Sequence, residues 1–318
     1  MFETPHSGAA VGTNMTGYMT LEVMRPGVRV DISHPSGGRY GRIEVSEQGL
    51  RFGTLVRVGQ AEDHPVVCAR YPVIRDTLAL AASRQIRNMA TLGGDPLQRT
   101  RCEYFRGGSW PCNKRKPASG CSALKGMSRE HAVLGTSESC IATYPGDFAQ
   151  ALVALDSSVD TIGAPAGPRR IPFAQLHRRP GDTPNIETSL YPGELITFIN
   201  VPAGPWTARS RYVKVCDRQS YQFALASAAV ALHMEGNRVR EARVALGGVA
   251  TVPWRAHEAE AVLNGHTLDE SLAARAAQAA FVEARPREHN AYKIPLGKQA
   301  LIRALLEAQA MQVTASPA

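Results

Sequence analysis

The sequence predicts an α+β protein of more than one unit, and three observations carry that expectation. Early in the chain, short runs alternate apolar and polar residues, the mark of half-buried strands: "VRVDIS" (28–33) and "GRIEVSEQGLRFGTLVRV" (41–58). From about Ser210 the pattern restarts as a run of strands followed by amphipathic helices, an α+β order. The length, 318 residues, allows two or three domains. The expected boundaries are 1–55, 56–205 and 206–318.

Taken in order, "EVSEQGLRFG" predicts a hairpin turning at Gln48-Gly49. "YPVIRDTLALAASRQIRNMA" (71–90) has helical spacing, with Val73, Leu78, Leu80, Ala81 and Ile86 on the buried side. Two glycines and a proline in "TLGGDP" stop that helix. "HAVLGTSESCIATYPGDFAQALVALDSSVDTIG" predicts a short strand, a turn and a helix. Asp147 lies at that helix start, where aspartate commonly caps free backbone N–H groups. "RRIPFAQL" and "PGELITFINVP" close the middle region, and "PAGPW" (202–206) has the look of a linker. "RSRYVKVCDR" is a strand, and the strands of 220–250 turn at Glu235-Gly236-Asn237. Three helices follow: one in "WRAHEAEAVLNG", then "LDESLAARAAQAAFVEA" and "GKQALIRALLEAQAMQ".

Composition excludes several classes. Hydrophobic content of 44% and charged content of 20% are those of an ordinary globular protein. No stretch approaches the roughly 18 apolar residues of a membrane span. "MFETPHSGAAVGTN" lacks the basic-then-apolar order of a signal peptide. The expected location is the cytoplasm, or the periplasm by co-export with a signal-bearing partner. The net charge of +8 suits a nucleic-acid ligand or a solvated, docking surface. The basic residues are scattered, the one dense run ("NKRK", 113–116) is short, and no binding motif accompanies it, so no nucleic-acid partner is expected.

The segment "QRTRCEYFRGGSWPCNKRKPASGCSALKG" (98–126) has little with which to build a core, yet carries Cys102, Cys112 and Cys121. Cys140 follows, giving the spacing C-x9-C-x8-C-x18-C. Four thiolates can close a tetrahedral zinc site or hold a [4Fe-4S] cluster. The tight cysteine pairs of zinc knuckles and the common ferredoxin spacings are both absent, so the residues alone leave cluster, zinc and unligated thiols open. Either metal would tie a polar loop in place, because binding energy becomes folding energy. Cys68 and Cys216, in "VVCAR" and "VKVCDR", are expected to be buried core thiols. Two glycine-containing loops, "GAAVGTN" (8–14) and "NMATLGGDPLQ" (88–98), let backbone N–H groups approach an anion. Neither is a Walker or Rossmann fingerprint, and each is also an ordinary turn.

Several stretches occur together in a known order: "GTNMTGYM", "SRQIRNMATLGGDPLQRTRC", "PCNK", "GCSAL", "HAVLGTSESCIATYPGDFAQAL", "PGELI" and "YVKVCDRQSYQFALASAAVAL". With them the chain resembles the FAD-binding subunit of the xanthine dehydrogenase and molybdenum hydroxylase family. The branch it is most similar to is the flavoprotein subunit of bacterial periplasmic aldehyde oxidoreductases, which carries an extra iron–sulfur loop. The resemblance covers nearly the whole chain. It implies two small α/β subdomains clasping FAD (the PCMH-type fold), then a C-terminal α+β domain like that of the CO dehydrogenase flavoprotein. It implies partners too: a large subunit with a molybdenum cofactor and a small subunit with two [2Fe-2S] clusters. This chain would take electrons from those clusters and deliver them to an external acceptor, with the flavin doing the chemistry.

The resemblance also assigns positions. The first flavin loop would be Ala10, Val11, Gly12, Thr13 and Asn14, on the diphosphate. The second would be Ala90, Thr91, Gly93, Gly94 and Asp95 with Leu97. Asp147 would bind sugar or ribityl hydroxyls, Leu195 would pack near a ring, and Lys214 would sit by the flavin's polar edge, where a cation stabilises a reduced, anionic flavin. Without the resemblance, Lys214 reads as a surface strand lysine. In the aldehyde-oxidoreductase branch, Cys102, Cys112, Cys121 and Cys140 match ligands of a [4Fe-4S] cluster. Departures from the pattern are Val11 for glycine, "GGD" for "GGN", "YPGD" for "HPSD", and a first loop almost at the amino terminus. They leave an alternative: a flavin-poor structural or assembly subunit of the same kind of complex.

Overall fold

The computed structural model describes residues 38–218 and 220–313. The first flavin loop and the expected strand at 28–33 lie outside the described residues. Among the described residues no helix is long and apolar enough to cross a membrane.

The expected hairpin is present. β1 (Ile43–Ser46) pairs antiparallel with β2 (Gly49–Gly53), Ile43 opposite Phe52. Gly49 has φ +139°, and a Cβ there would stand 2.0 Å from the Val201 carbonyl oxygen. Glycine is therefore required where β2 begins its pairing with the last strand of this sheet. With β3 (Ser158–Ile162), β4 (Arg169–Pro172) and β5 (Leu195–Pro202), the strand order is β1-β2-β5-β3-β4, all antiparallel.

The segment after β2 departs from the sequence expectation. It is helical from Val58, not extended: α1 (Val58–Glu62) and α2 (Pro65–Arg70) precede α3 (Pro72–Ala79) and α4 (Arg84–Met89). Pro65 and Pro72 open their helices, where the missing N–H costs nothing. The expected helix over 71–90 is broken in two. Ala82 takes φ 45°, Ser83 Oγ accepts from Ile86 N to cap α4, and Leu80 is turned outward. Arg87 closes the gap by donating to the Ala81 carbonyl (2.9 Å) and to Glu62 (2.8 Å). Periodicity misses this break because the apolar spacing runs through it. Cys68 is also a correction: α2 buries only Val67, so this thiol is exposed. Cys216 is part-buried, its thiol on the Arg218 carbonyl.

The second sheet is β6 (Ser210–Val215), β7 (Ala226–Glu235), β8 (Arg238–Gly247) and β9 (Trp254–Arg255), in that order. β7 is buried on both faces from Ala226 to Leu232, which is why "ASAAVAL" reads as a continuous apolar run. Val213, Ala228, Val230, Val244 and Leu246 face α7 (His257–Leu263), α8 (Glu270–Ala280) and α9 (Lys293–Gln309). Tyr212, Ala229, Ala231 and Ala245 face the other way, into the first core, where α6 (Phe148–Ala154) packs. Period-two alternation thus puts Tyr212 and Lys214 on the face turned toward α6. The "PAGPW" stretch is an ordered turn: Trp206 folds under the Arg243 guanidinium, 3.5 Å from ring centroid to Cζ.

Candidate functional site

Asp147 sits at the N-cap of α6, but its side chain makes no cap bond. The carboxylate turns instead to β6. Tyr212 Oη donates to Oδ1 (2.5 Å) and Lys214 Nζ to Oδ2 (2.7 Å). The ammonium also reaches the Leu80 carbonyl (2.9 Å), the residue that ends α3. So the break in the 71–90 segment supplies an acceptor to the site. Lys214 is no surface lysine: its side chain is 3% exposed and Asp147's is 6%. Burial pushes the Asp147 carboxyl up, against the downward pull of Lys214 and Tyr212. A carboxylate has more acceptor positions than these two donors use, so it can still take hydroxyl donors from a ligand.

The second loop lies beside this pair. Ala90 O accepts from Val58 N (2.9 Å), and Thr91 bridges to Arg57. Leu92 and Gly93 donate to the Val56 and Thr54 carbonyls, each at 2.9 Å. A Cβ on Gly93 would meet Thr54 Cβ at 2.6 Å, so the loop is seated directly on the strand end. Gly94 is buried, and Leu97 packs against the first core. Burial pushes Asp95 up to about 7, with the neighbouring Asp147 carboxylate adding to the rise and Gln98 and Lys214 opposing it. Near neutral pH this acid thus keeps its proton about half of the time, which softens its conflict with a phosphate anion.

The "YPGD" turn accounts for its own departures. Tyr144 Oη donates to the Pro96 carbonyl (3.1 Å), clamping the loop from behind. The same hydroxyl would lie 2.6 Å from a Cβ at position 146, so Tyr144 and Gly146 belong together. His177 packs edge-on to Tyr144 (4.8 Å between centroids) and donates to the same carbonyl at 2.7 Å. Leu195 stands apart from this hydrogen-bonded group. It opens β5 opposite Ile162 and is 36% exposed.

All four cysteines line one small cavity, together with Tyr104, Phe105, Asn113 and Lys114. Cys112 and Cys121 face each other across an antiparallel bridge. Burial pushes the Cys102 thiol up to about 12 and Cys140 up to about 11, and it raises Cys121 too. Backbone N–H groups reach three of the sulfurs: Ala142 at Cys140 Sγ (3.4 Å), Tyr104 and Phe105 at Cys102, and Ala123, Leu124 and Ile141 at Cys121; His131 Nε2 lies 3.2 Å from Cys102 Sγ. The loop has more protein support than its composition suggests. Phe105 and Ala123 are buried; Asn113 donates to Ser139 O (3.1 Å) and accepts from Gly120 N (2.8 Å). Arg99 and Lys114 close on Glu187 at 2.6 and 3.4 Å. Burial works to raise that carboxyl, yet the two cations hold it at about 2.

Among the described residues, no three Cys, His, Asp or Glu side chains stand close enough to share one metal ion. A tetrahedral zinc would need its thiolates within about 3.8 Å of one another, from a Zn–S bond of roughly 2.3 Å. A polynuclear cluster holds its ligands apart by its own core. Four thiols around one cavity are also the donor set that a [4Fe-4S] cluster would take.

A family profile described as the FAD-binding domain in molybdopterin dehydrogenase matches residues 7–204, and the CO dehydrogenase flavoprotein C-terminal domain matches 211–308. The chain belongs to the FAD-binding subunits of the molybdenum hydroxylases. It is 44% identical over 304 residues to the aldehyde oxidoreductase FAD-binding subunit PaoB of Escherichia coli, covering 95% of this chain and 91% of that one. The glyceraldehyde dehydrogenase medium chain of Sulfolobus acidocaldarius is 24% identical, over 83% of this chain and 75% of its own. Among solved structures, carbon monoxide dehydrogenase from Hydrogenophaga pseudoflava superposes with a TM-score of 0.71 at 25% identity, over 95% and 88% of the two chains. Quinoline 2-oxidoreductase from Pseudomonas putida 86 shares the fold, with a TM-score of 0.70 and coverage of 96% and 90%. The molybdenum hydroxylases are oxidoreductases of several subunits, and this chain is of their medium, FAD-binding type.

Sequence reasoning missed Tyr212, which orients Asp147, and His131, which touches a cysteine sulfur. Tyr212 carried a usable signal, since it lies two residues before Lys214 on the same strand face. His131 carried none, because no spacing ties it to Cys102.

Proposed function

We propose that this chain is the electron-transferring FAD subunit of a molybdenum-dependent aldehyde oxidoreductase, holding one [4Fe-4S] cluster on Cys102, Cys112, Cys121 and Cys140. The observation that carries the reading is that four cysteines spread over 39 residues line a single cavity. Aldehyde as the substrate class rests on the relative that is 44% identical. The aldehyde would be oxidised on a large molybdenum-cofactor subunit, and electrons would arrive through the [2Fe-2S] clusters of a small subunit and leave to an external acceptor.

When bound, FAD supplies a carrier that couples paired to single electrons, and the cluster supplies a one-electron relay. The chain's own residues do the rest. Gly93 lets the second loop sit directly on the strand end at Thr54, which would set its place for a diphosphate. Asp147, fixed by Tyr212 and Lys214, would accept ligand hydroxyls without rearranging. Lys214 holds a buried positive charge that favours negative charge on whatever faces it. The four thiols would give up their protons to become ligands.

The test is anaerobic reduction of the intact complex by an aldehyde, watched by flavin absorbance and by electron paramagnetic resonance. Flavin bleaching and a reduced-cluster signal beyond those of the small subunit are expected. Aldehyde turnover with acid-released flavin near zero would instead make this a structural or assembly subunit.

A further inference from the structure

We propose that His131 is a positioning residue that donates a hydrogen bond to the Cys102 sulfur and thereby raises the potential of the cluster. This rests on the reading of the four cysteines as cluster ligands. His131 is 5% exposed, and its Nε2 lies 3.2 Å from Cys102 Sγ. Its Nδ1 is buried and has no hydrogen-bond partner among the described residues. The two nitrogens therefore differ in what they can do. A proton on Nδ1 alone would bury an unpaired N–H and turn the Nε2 lone pair toward the sulfur lone pairs. A proton on Nε2 makes an N–H···S bond and leaves only an acceptor unpaired. A charged ring would also donate from Nε2, so the donor is the same in either state.

The ring is fixed in place. His131 N donates to the Ser128 carbonyl (3.0 Å), and the His131 carbonyl accepts from Asn290 Nδ2 (3.3 Å), a fully buried side chain. Tyr104, two residues beyond Cys102, packs on the ring at 6.0 Å between centroids. Cys102 and His131 also line a second, larger cleft, together with Tyr144 and Pro145 of the "YPGD" turn. Of the four thiols, Cys102 is thus the one that lines both cavities. A donor on a ligand sulfur draws electron density from the cluster and favours its reduced state.

The experiment is a redox titration of the cluster, followed by electron paramagnetic resonance, in the full complex carrying His131→Leu or His131→Gln. At a poise where the wild-type cluster is half reduced, His131→Leu should lower the reduced-to-oxidised ratio about tenfold, a fall of roughly 59 mV for one electron. His131→Gln, which keeps an N–H within reach, should restore most of that ratio. Independently, the wild-type complex labelled with ¹⁵N-histidine should show a nitrogen coupling to the reduced cluster in pulsed resonance. An unchanged midpoint in an iron-loaded His131→Leu complex, or no ¹⁵N coupling in wild type, overturns the proposal. Should His131→Leu fail to take up iron, the ¹⁵N coupling decides. An iron-free wild-type chain would bring down the cluster reading itself, an outcome read from metal content alone.

Discussion

The Asp147 floor and the cysteine cavity are both buried and both built from polar groups, yet they are finished to different degrees. At the floor, each carboxylate oxygen has a donor, and the Lys214 ammonium has two oxygen partners. The protein satisfies those charges by itself. In the cavity, burial pushes the Cys102 and Cys140 thiols up to about 12 and 11, and the backbone N–H groups that reach them, from Tyr104 and Phe105 and from Ala142, do not offset it. The floor is therefore a preorganised surface that a ligand can join or leave, and the cavity is a site completed by what fills it. A loop tied by Arg99, Lys114 and Glu187 can hold four thiols near one another, and on the proposed reading a metal centre would add the main constraint.

The largest expected effect follows from removing a cavity ligand. Cys112→Ser should abolish nearly all cluster iron in the chain while leaving flavin content close to wild type, read by metal analysis and acid-released flavin. Loss of both cofactors together would show that the two regions fold as one unit.

Asp147→Ala should act in the opposite sense, with flavin lost and iron retained. It leaves Lys214 buried without its counter-charge, a destabilisation of about 3–5 kcal/mol. Denaturant unfolding of Asp147→Ala beside the Asp147→Ala/Lys214→Met double variant measures it. The double variant should regain part of the loss, because it removes the stranded charge. A single variant as stable as wild type would mean that Asp147 contributes nothing to the floor.

The smallest effect concerns Asp95. Its folded-state pKa is raised from 3.8 to about 7, so the folded chain keeps a proton that the unfolded chain releases at lower pH. Its contribution to stability is present below pH 4 and is lost as pH rises from about 4 to 7. A diphosphate ligand is repelled more as the proton leaves. FAD affinity should therefore fall as pH rises through about 7, and Asp95→Asn should flatten that dependence. Fluorescence titration of flavin-depleted complex across pH 6–8 checks both. An equally steep fall in Asp95→Asn would remove Asp95 from the site.

Much of this was legible in the residues. The hairpin turn at Gln48-Gly49, the α+β order and the hairpin at Glu235–Asn237 followed from local patterns that tertiary packing does not contradict. The ordered motifs gave the family and brought Ala90–Leu97, Asp147 and Lys214 onto one short list, which the fold gathers in space. Geometry that depends on contacts between distant segments was not legible. Asp147 looks like a helix cap, because no local rule says that Tyr212 and Lys214 will reach it from another strand. The 71–90 segment looks like one helix, because the Arg87–Glu62 contact that stabilises its break joins residues far apart in the pattern. Cys68 looks buried, because an apolar neighbourhood in sequence does not say which way a six-residue helix turns.

The most direct test is anomalous scattering from crystals of the intact complex, collected on both sides of the iron and zinc edges. The account predicts iron signal, and no zinc signal, inside the cavity between Cys102, Cys112, Cys121 and Cys140, with flavin density against Asp147 and Lys214. Zinc between the thiols, or paired disulfides and no metal, would contradict it.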